Sequence, residues 1–307
     1  MSGETMVPAN GVDLCVETFG EPSDPPVLLI AGGASSMDWW DDEFCRRLAA
    51  GGRYVIRYDH RDTGRSTSFP AGAPPYSGPD MARDALGLLD ALGERQAHIV
   101  GLSMGGGLAQ WIAVEEPSRL LSLTLMSTSP ISGPEDATDT EPAAESESGE
   151  SAARGESAAE TGTPADAEGA DEQDDGGEQT DWSDRKAAVD RLVADAREFG
   201  GPFTADEAQL RRLAERIFDR TTDMAASQTN HWLAGDGPPV RHRLDTIAVP
   251  TLVMHGTVDP MFPIEHGEAL VRAIPGARLV RLEGVGHEHP PPAVWNQVIG
   301  ELLKHTG

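Results

Sequence analysis

Residues 97–110 read Ala97-His98-Ile99-Val100-Gly101-Leu102-Ser103-Met104-Gly105-Gly106-Gly107-Leu108-Ala109-Gln110, and the rest of the chain is organised around them. Ile99 and Val100 form an apolar run without polar alternation, the pattern of a strand covered on both faces in a parallel sheet. From Met104 the texture changes to small residues, with Leu108, Trp111 and Ile112 at helical spacing. Between strand and helix lies Gly101-Leu102-Ser103-Met104-Gly105, a G-x-S-x-G. A serine held there sits on a strained backbone, and the flanking glycines let helix and strand approach closely enough to tolerate the bend. Its hydroxyl then projects above the sheet edge, beside the free N–H groups and partial positive charge of a helix N-terminus. With 34 glycines in 307 residues, the pentapeptide alone also fits an ordinary strand-to-helix turn. The buried strand before it and the small-residue helix after it favour a nucleophile elbow, which requires a base and an acid from elsewhere.

Outward from this stretch, strands alternate with helices. Residues 12–19 alternate apolar and polar as an edge strand would, and 27–31 form a strand apolar on both faces that ends in Gly32-Gly33. A helix over 39–50 would bury Trp40, Phe44, Leu48 and the stem of Arg47. A strand at 54–58 leads into Asp59-His60-Arg61-Asp62, a charged run expected to be a structural ion-pair corner rather than a second reactive site. A helix over 81–92 has Met81, Ala85, Leu88, Leu89 and Leu92 on one face. Beyond the elbow, strands are expected at 121–126, 251–254 and 277–282, with helices at 263–274 and 294–303. Such alternation predicts an α/β fold with a doubly wound, mainly parallel sheet.

The net charge of −27 is extreme, but much of it is local. Residues 133–181 hold 17 carboxylates against the single Arg154, and no aromatic or aliphatic side chain larger than alanine. Such a segment cannot bury enough apolar area to offset its chain entropy, so an acidic, disordered insert is expected there. Helical patterns return over 182–239: Val189, Leu192, Val193 and Ala196 make one stripe, and Leu210, Leu213, Ala214 and Ile217 another, opened by a Thr204-Ala205-Asp206-Glu207 capping box. These helices should form an inserted lid over the strand C-termini, where open α/β sheets bind ligands. Residues 1–132 and 240–307 would then be the core. The acidic balance argues against nucleic acid or an anionic membrane as partner. Cys15 and Cys45 are too few for a framework and lie in apolar patterns, as free thiols of a reducing compartment would. Neither a basic, apolar leader nor a span of ~20 apolar residues is visible, so the expected location is cytoplasmic.

A serine nucleophile needs a general base within hydrogen-bond reach and a third group to fix that base's tautomer. Among nine histidines, His287 is favoured, because it follows the last strand directly and precedes the last helix. His255 lies at a strand end but is followed at once by Gly256, His98 lies inside the elbow strand, and His60 and His289 are weaker candidates. For the acid, the loop after 251–254 offers Asp259, whereas the loop after Met126 has no carboxylate before Glu135. The order Ser103, Asp259, His287 results. Oxyanion donors are expected at the N–H of Met104, next after the nucleophile, and at Gly33, where the backbone can approach the reacting carbonyl. Met37, Trp40, Trp232, Met261 and Phe262 are candidate pocket linings. No cluster has metal-ligand spacing, and the chemistry needs neither a metal nor an organic cofactor.

Ala31-Gly32-Gly33 with Met37-Asp38-Trp39-Trp40, the run from Val55 to Ser66, the elbow and Gly286-His287 together resemble the aclacinomycin methylesterase branch of the α/β-hydrolase superfamily. The resemblance covers most of 1–130 and 245–307. It implies hydrolysis of a small-molecule carboxylic ester, such as a methyl ester of a bulky apolar substrate, with Ser103 as nucleophile, Asp259 as acid, His287 as base and oxyanion donors at Gly33 and Met104. The acidic insert departs from the family pattern and the lid helices match it less clearly. Alternatives built on the same residues are a cofactor-free perhydrolase of haloperoxidase type, a C–C bond hydrolase, and a non-catalytic ligand receptor on the same scaffold.

Overall fold

A computed structural model describes residues 3–131, 180–235 and 237–307. Among the described residues eight strands form, β1 (Thr5–Ala9), β2 (Val12–Phe19), β3 (Pro26–Ile30), β4 (Tyr54–Tyr58), β5 (Ala97–Leu102), β6 (Leu120–Met126), β7 (Thr251–Gly256) and β8 (Arg278–Leu282). They form one sheet in the order β1-β2-β4-β3-β5-β6-β7-β8. Only β2 runs against its neighbours; every pairing from β4 to β8 is parallel. The serine strand β5 therefore sits near the middle, with its neighbours β3 and β6 also largely buried on both faces. Such double burial is what continuous apolar runs specify.

Helices cover both faces. On one, α1 (Asp42–Ala50) and α8 (Trp295–His305) bury Phe44, Leu48, Trp295, Val298 and Leu302 against Val27, Leu29, Val100 and Leu252 of the sheet. On the other, α2 (Gly78–Ala91), α3 (Met104–Glu115) and α7 (Ile264–Ala273) pack Leu88, Leu89, Ile112 and Leu270 against Leu28, Ile30, Ile56, Ile99 and Leu123. Among the described residues three further α-helices lie in sequence between β6 and β7: α4 (Arg185–Glu198), α5 (Glu207–Arg220) and α6 (Met224–Leu233). Their shared core is Val189, Leu192, Val193, Leu210, Ala214, Ile217 and Met224, while Ala196 and Leu213 of the two stripes visible in the sequence pack against it half-buried.

Three local expectations shift. The strand 12–19 is not at the edge, because β1 pairs antiparallel outside it; β1 is only five residues long and exposes Met6, so it left no periodic signal. The helix expected from residue 39 starts at Asp42, where the Asp41 carboxylate caps it by accepting from the N–H groups of Glu43 and Phe44 at 2.7 and 3.4 Å; a short 3-10 turn over Met37–Trp39 precedes it. The capping box of α5 is Asp206 with Gln209, two residues later than the sequence pattern suggested. The Thr204 hydroxyl is engaged elsewhere, with Gly201 and Glu288. The acidic insert expected at 133–181 lies outside the described residues except for its last two positions. Among the described residues no helix is long and apolar enough to cross a membrane. Cys15 and Cys45 are buried free thiols, both pushed up to about 12, chiefly by burial.

Candidate active site

Ser103 connects β5 to α3 with φ +53° and ψ −120°, a conformation that residues with a Cβ rarely adopt. The bend is possible because both flanking glycines are in close contact with backbone. A Cβ on Gly101 would lie 2.2 Å from the carbonyl oxygen of Gly105, and one on Gly105 would lie 2.4 Å from those of Ile30 and Ala31. The strain is held by hydrogen bonds on both sides of the serine. Its N–H donates to Met126 at 3.0 Å, while its carbonyl accepts from Gly106 N–H at 2.9 Å and the Thr128 hydroxyl at 2.8 Å.

The loop after β8 brings His287 over this turn. Its Nε2 lies 2.9 Å from Ser103 Oγ, and its Nδ1 lies 2.9 Å from Asp259 Oδ2, so one imidazole bridges hydroxyl and carboxylate. Asp259 follows β7 and its side chain is fully buried. Its other oxygen accepts from the N–H groups of Met261 and Phe262 at 3.0 and 2.8 Å. Burial pushes this carboxyl upward, but His287, the Phe262 N–H and His255 outweigh it and leave the group below its ordinary value, hence ionised. The Phe262 ring stands edge-on to the His287 ring, with centroids 5.3 Å apart. His255, the other strand-end histidine, is fully buried behind the acid and bonds the Phe262 carbonyl at 2.7 Å. It steadies the acid loop and lies away from the serine.

Ser103 and His287 open into a cavity of about 610 Å³. Gly32, Gly33, Trp39, Leu102 and His289 contribute to its wall from the core, and Leu192, Phe199, Leu210, Leu213 and Trp232 from the lid. Gly33 passes under the Trp232 indole, so close that a Cβ there would meet the ring at 2.7 Å. Met104 is the first residue of α3, where an N–H has no intrahelical acceptor. Of the residues read from sequence as linings, Trp232 and Met261 are in the wall. Met37, Trp40 and Phe262 are not: Met37 and Trp40 are each 1% exposed, Trp40 stacks on Phe44 in the core, and Phe262 backs His287. His289, considered only as a weaker base, lies in the wall between Trp39 and Trp40, and burial pushes it down to about 3, so it is neutral.

Sequence reasoning missed the polar contacts that join lid to core. The Glu288 carboxylate accepts from Gly201 N–H at 3.1 Å and the Thr204 hydroxyl at 2.9 Å, and the His287 N–H donates to the Phe199 carbonyl at 2.6 Å. Asp59, fully buried, accepts from Met37 N–H at 2.9 Å and Arg65 N–H at 3.0 Å, and pairs with Arg220 of α5 at 2.7 Å. Arg61 pairs with Asp84 at 2.5 and 2.6 Å, and Asp62 accepts from Tyr76 and from Asn230 of α6. The run Asp59–Asp62 is thus a structural corner, but its partners come from α2 and the lid. No motif marks such partners in a sequence, because they are joined only by the fold. Among the described residues no group of acidic, histidine and cysteine side chains is placed to hold a metal ion.

A family model described as the alpha/beta hydrolase fold matches residues 25–289. The chain is 36% identical over 303 residues to the rhodomycin D methylesterase DauP of Streptomyces sp. (strain C5), covering 98% of this chain and 97% of that one. It is likewise 36% identical to the rhodomycin D methylesterase DnrP of Streptomyces peucetius, with the same coverage. Among solved structures, a hydrolase from Pseudomonas aeruginosa PA01 superimposes with a TM-score of 0.68 at 25% identity, covering 99% of this chain and 98% of the other. An esterase, RhEst1 from Rhodococcus sp. ECU1013, has the same fold, with a TM-score of 0.69 at 19% identity over 100% and 98% of the two chains.

Proposed function

The chain belongs to the α/β-hydrolase family, and from that premise we propose that it is a serine esterase that cleaves a carboxylic ester, a methyl ester of a bulky apolar molecule, through an acyl-enzyme. The observation that carries this reading is the imidazole of His287 spanning Ser103 Oγ and Asp259 Oδ2 at 2.9 Å on each side, at the wall of a cavity large enough for such a substrate. The names of the two methylesterase relatives support the methyl ester.

In the first half-reaction Ser103 Oγ attacks the ester carbonyl while its proton passes to His287 Nε2. Asp259 accepts the Nδ1–H, keeps that nitrogen protonated and offsets the charge of the imidazolium. The N–H groups of Met104 and Gly33 receive the oxyanion of the tetrahedral intermediate. Collapse breaks the bond to the alkoxy oxygen, which takes the proton from Nε2 and leaves as the alcohol. Water then attacks the acyl-serine, losing a proton to Nε2, and collapse of the second intermediate breaks the acyl–Oγ bond, returns that proton from Nε2 to Ser103 Oγ and frees the acid. The lid supplies an apolar wall that excludes bulk water and makes every charge interaction within the cavity stronger.

A fluorophosphonate should label the protein on Ser103, and Ser103→Ala should lower p-nitrophenyl acetate turnover by about 10⁴-fold or more. Turnover by the alanine variant at the wild-type rate would refute the mechanism.

A further inference from the structure

The loop proposed to receive the oxyanion, Ala31-Gly32-Gly33-Ala34, has no side chain long enough to hold itself in place. Two adjacent glycines leave its peptide planes free to rotate. Ala34 stands at φ +57°, in the left-handed region that a residue with a Cβ avoids. Within the turn itself the glycine pair is held only by Ser35, whose N–H donates to the Gly32 carbonyl at 3.4 Å and whose hydroxyl donates to the Gly33 carbonyl at 3.2 Å, so the direction of the Gly33 N–H depends also on how the peptide groups at the two ends of the loop are fixed.

Two buried imidazoles stand at the two ends of this loop. His60, 1% exposed, lies with Nε2 3.1 Å from the Ala31 carbonyl. His231 of α6, 5% exposed, lies with Nδ1 2.9 Å from the Ala34 nitrogen. A backbone N–H can only donate, so Nδ1 of His231 holds a lone pair and the proton is on Nε2, which donates to the Arg61 carbonyl at 2.9 Å. Gln228, three residues earlier on the same helix, donates its Nε2–H to the Ala34 carbonyl at 3.2 Å. Both polar groups of Ala34 are thereby held by α6, and the next residue of that helix, Trp232, covers Gly33.

We infer that His231, assisted by Gln228, is a positioning residue for the oxyanion loop: the lid, through α6, sets the orientation of the Gly33 N–H. The inference rests on the serine-esterase reading above. His231 does not touch substrate; it acts through Ala34. The lid is then part of the catalytic geometry and not only a cover, since undocking α6 would release one of the two oxyanion donors.

The test uses the full chain and compares two substitutions that keep opposite halves of the imidazole. In His231→Asn the amide oxygen takes the place of Nδ1 and can still accept from Ala34. In His231→Gln the amide reaches the place of Nε2, keeps the Arg61 carbonyl and abandons Ala34. Losing one oxyanion donor costs about 10²–10³-fold and a misplacement of about 1 Å about 10²-fold, so His231→Gln should lower kcat on p-nitrophenyl acetate by about 30–100-fold. KM should stay within about twofold, and the second-order rate of fluorophosphonate capture should fall in parallel with kcat, because the tetrahedral phosphoryl adduct needs the same N–H groups. His231→Asn should remain within about threefold of wild type. Equal losses in the two variants, a rise in KM with unchanged kcat, or wild-type kcat in His231→Gln would each overturn the inference. Should neither variant fold, Gln228→Ala, a half-buried position, should lower kcat by about 3–10-fold at constant KM, and an unchanged kcat there overturns it as well. Ser103→Ala is run in the same assay. If it is inactive while His231→Gln is unimpaired, only the positioning role fails; if it retains turnover, the esterase mechanism fails and this role with it.

Discussion

In the sheet platform the packing between strands and helices is mainly apolar, with Leu28, Leu29, Val55, Ile56, Ile99, Val100, Leu123 and Leu252 all fully buried between two helical layers and a few buried ion pairs, such as Arg57 with Glu17 and Asp42, set among them. Among the described residues the lid's own cluster holds seven buried apolar side chains, against which Trp39 of the platform packs, and most of what else joins it to the platform is directional and polar. Arg220 pairs with Asp38, Asp59 and Glu4; Arg216 pairs with Asp38; Glu288 holds Gly201 and Thr204; Asn230 and His231 enter the corner below. Burial of apolar area is non-directional and fixes which elements pack. Hydrogen bonds fix angles, and an active site assembled between two regions needs angles.

The sharpest way to break this contrast is to remove Arg220. Its side chain is only 9% exposed and faces Asp59, which is fully buried, and Asp38, which is 5% exposed. Removing one partner of a buried pair leaves charge uncompensated and costs about 3–5 kcal/mol; Asp59 keeps two N–H donors and Asp38 keeps Arg216, so Arg220→Met should lie near about 3 kcal/mol. In a chain of this size that is a Tm lower by about 5 °C. Adding Asp59→Asn should recover part of the loss, since the orphaned charge is then gone. A Tm equal to wild type in the single variant would mean that the lid docks by apolar contact after all.

His60 sharpens the comparison in another way, because it belongs to the platform yet is held by the polar rule. Burial above all, with His231 and Arg61 beside it, pushes its imidazole down to about 3, against the opposing bond to the Ala31 carbonyl. The unfolded chain takes up a proton near the ordinary histidine value of 6.5, and the folded one does not until about 3. Its contribution is therefore complete above pH 6.5 and is lost as the pH falls through that window, by up to about 1.4 kcal/mol per pH unit. His60→Gln keeps a donor for Ala31 and cannot titrate. Urea unfolding at pH 6 and pH 5 should show a stability loss smaller in the variant by about 1 kcal/mol. The same difference in both proteins would show that His60 is protonated in the folded state.

The same contrast decides what could be read from the sequence. The platform was legible because its signals are local and periodic: the doubly apolar runs at Leu28–Leu29 and Ile99–Val100, the face of α2, and the G-x-S-x-G turn between β5 and α3. Ser103, Asp259 and His287 were legible by position, each following a strand on the same side of the sheet. The lid was legible only as two apolar stripes. The residues that tie it to the platform, Arg220, Gln228 and His231 from the lid and Glu288 from the core, have partners 84 to 216 positions away, and no spacing announces such pairs. Met37 and Trp40 mislead for a related reason: a large apolar residue near a strand end can fill core or wall, and only packing against Phe44 assigns Trp40 to the core.

The smallest effect is expected where the polar rule operates in water. Arg185 of α4 and Asp219 of α5 make a two-pronged pair, both contacts at 2.9 Å, as well formed in distance as any at the lid–platform boundary. Their side chains are 47% and 59% exposed, so water screens the attraction and hydrates either partner when the other is removed. Arg185→Ala should therefore lower Tm by no more than about 2 °C, and the difference should vanish in about 0.5 M salt, where exposed charges are screened within a few ångströms. Arg220→Met should keep most of its penalty in the same buffer, because its carboxylate partners are out of contact with the salt. If both penalties shrank alike, the contacts beneath the lid would be as wet as those on its outer surface, and the separation of the two regions by the kind of force that holds them would have no basis.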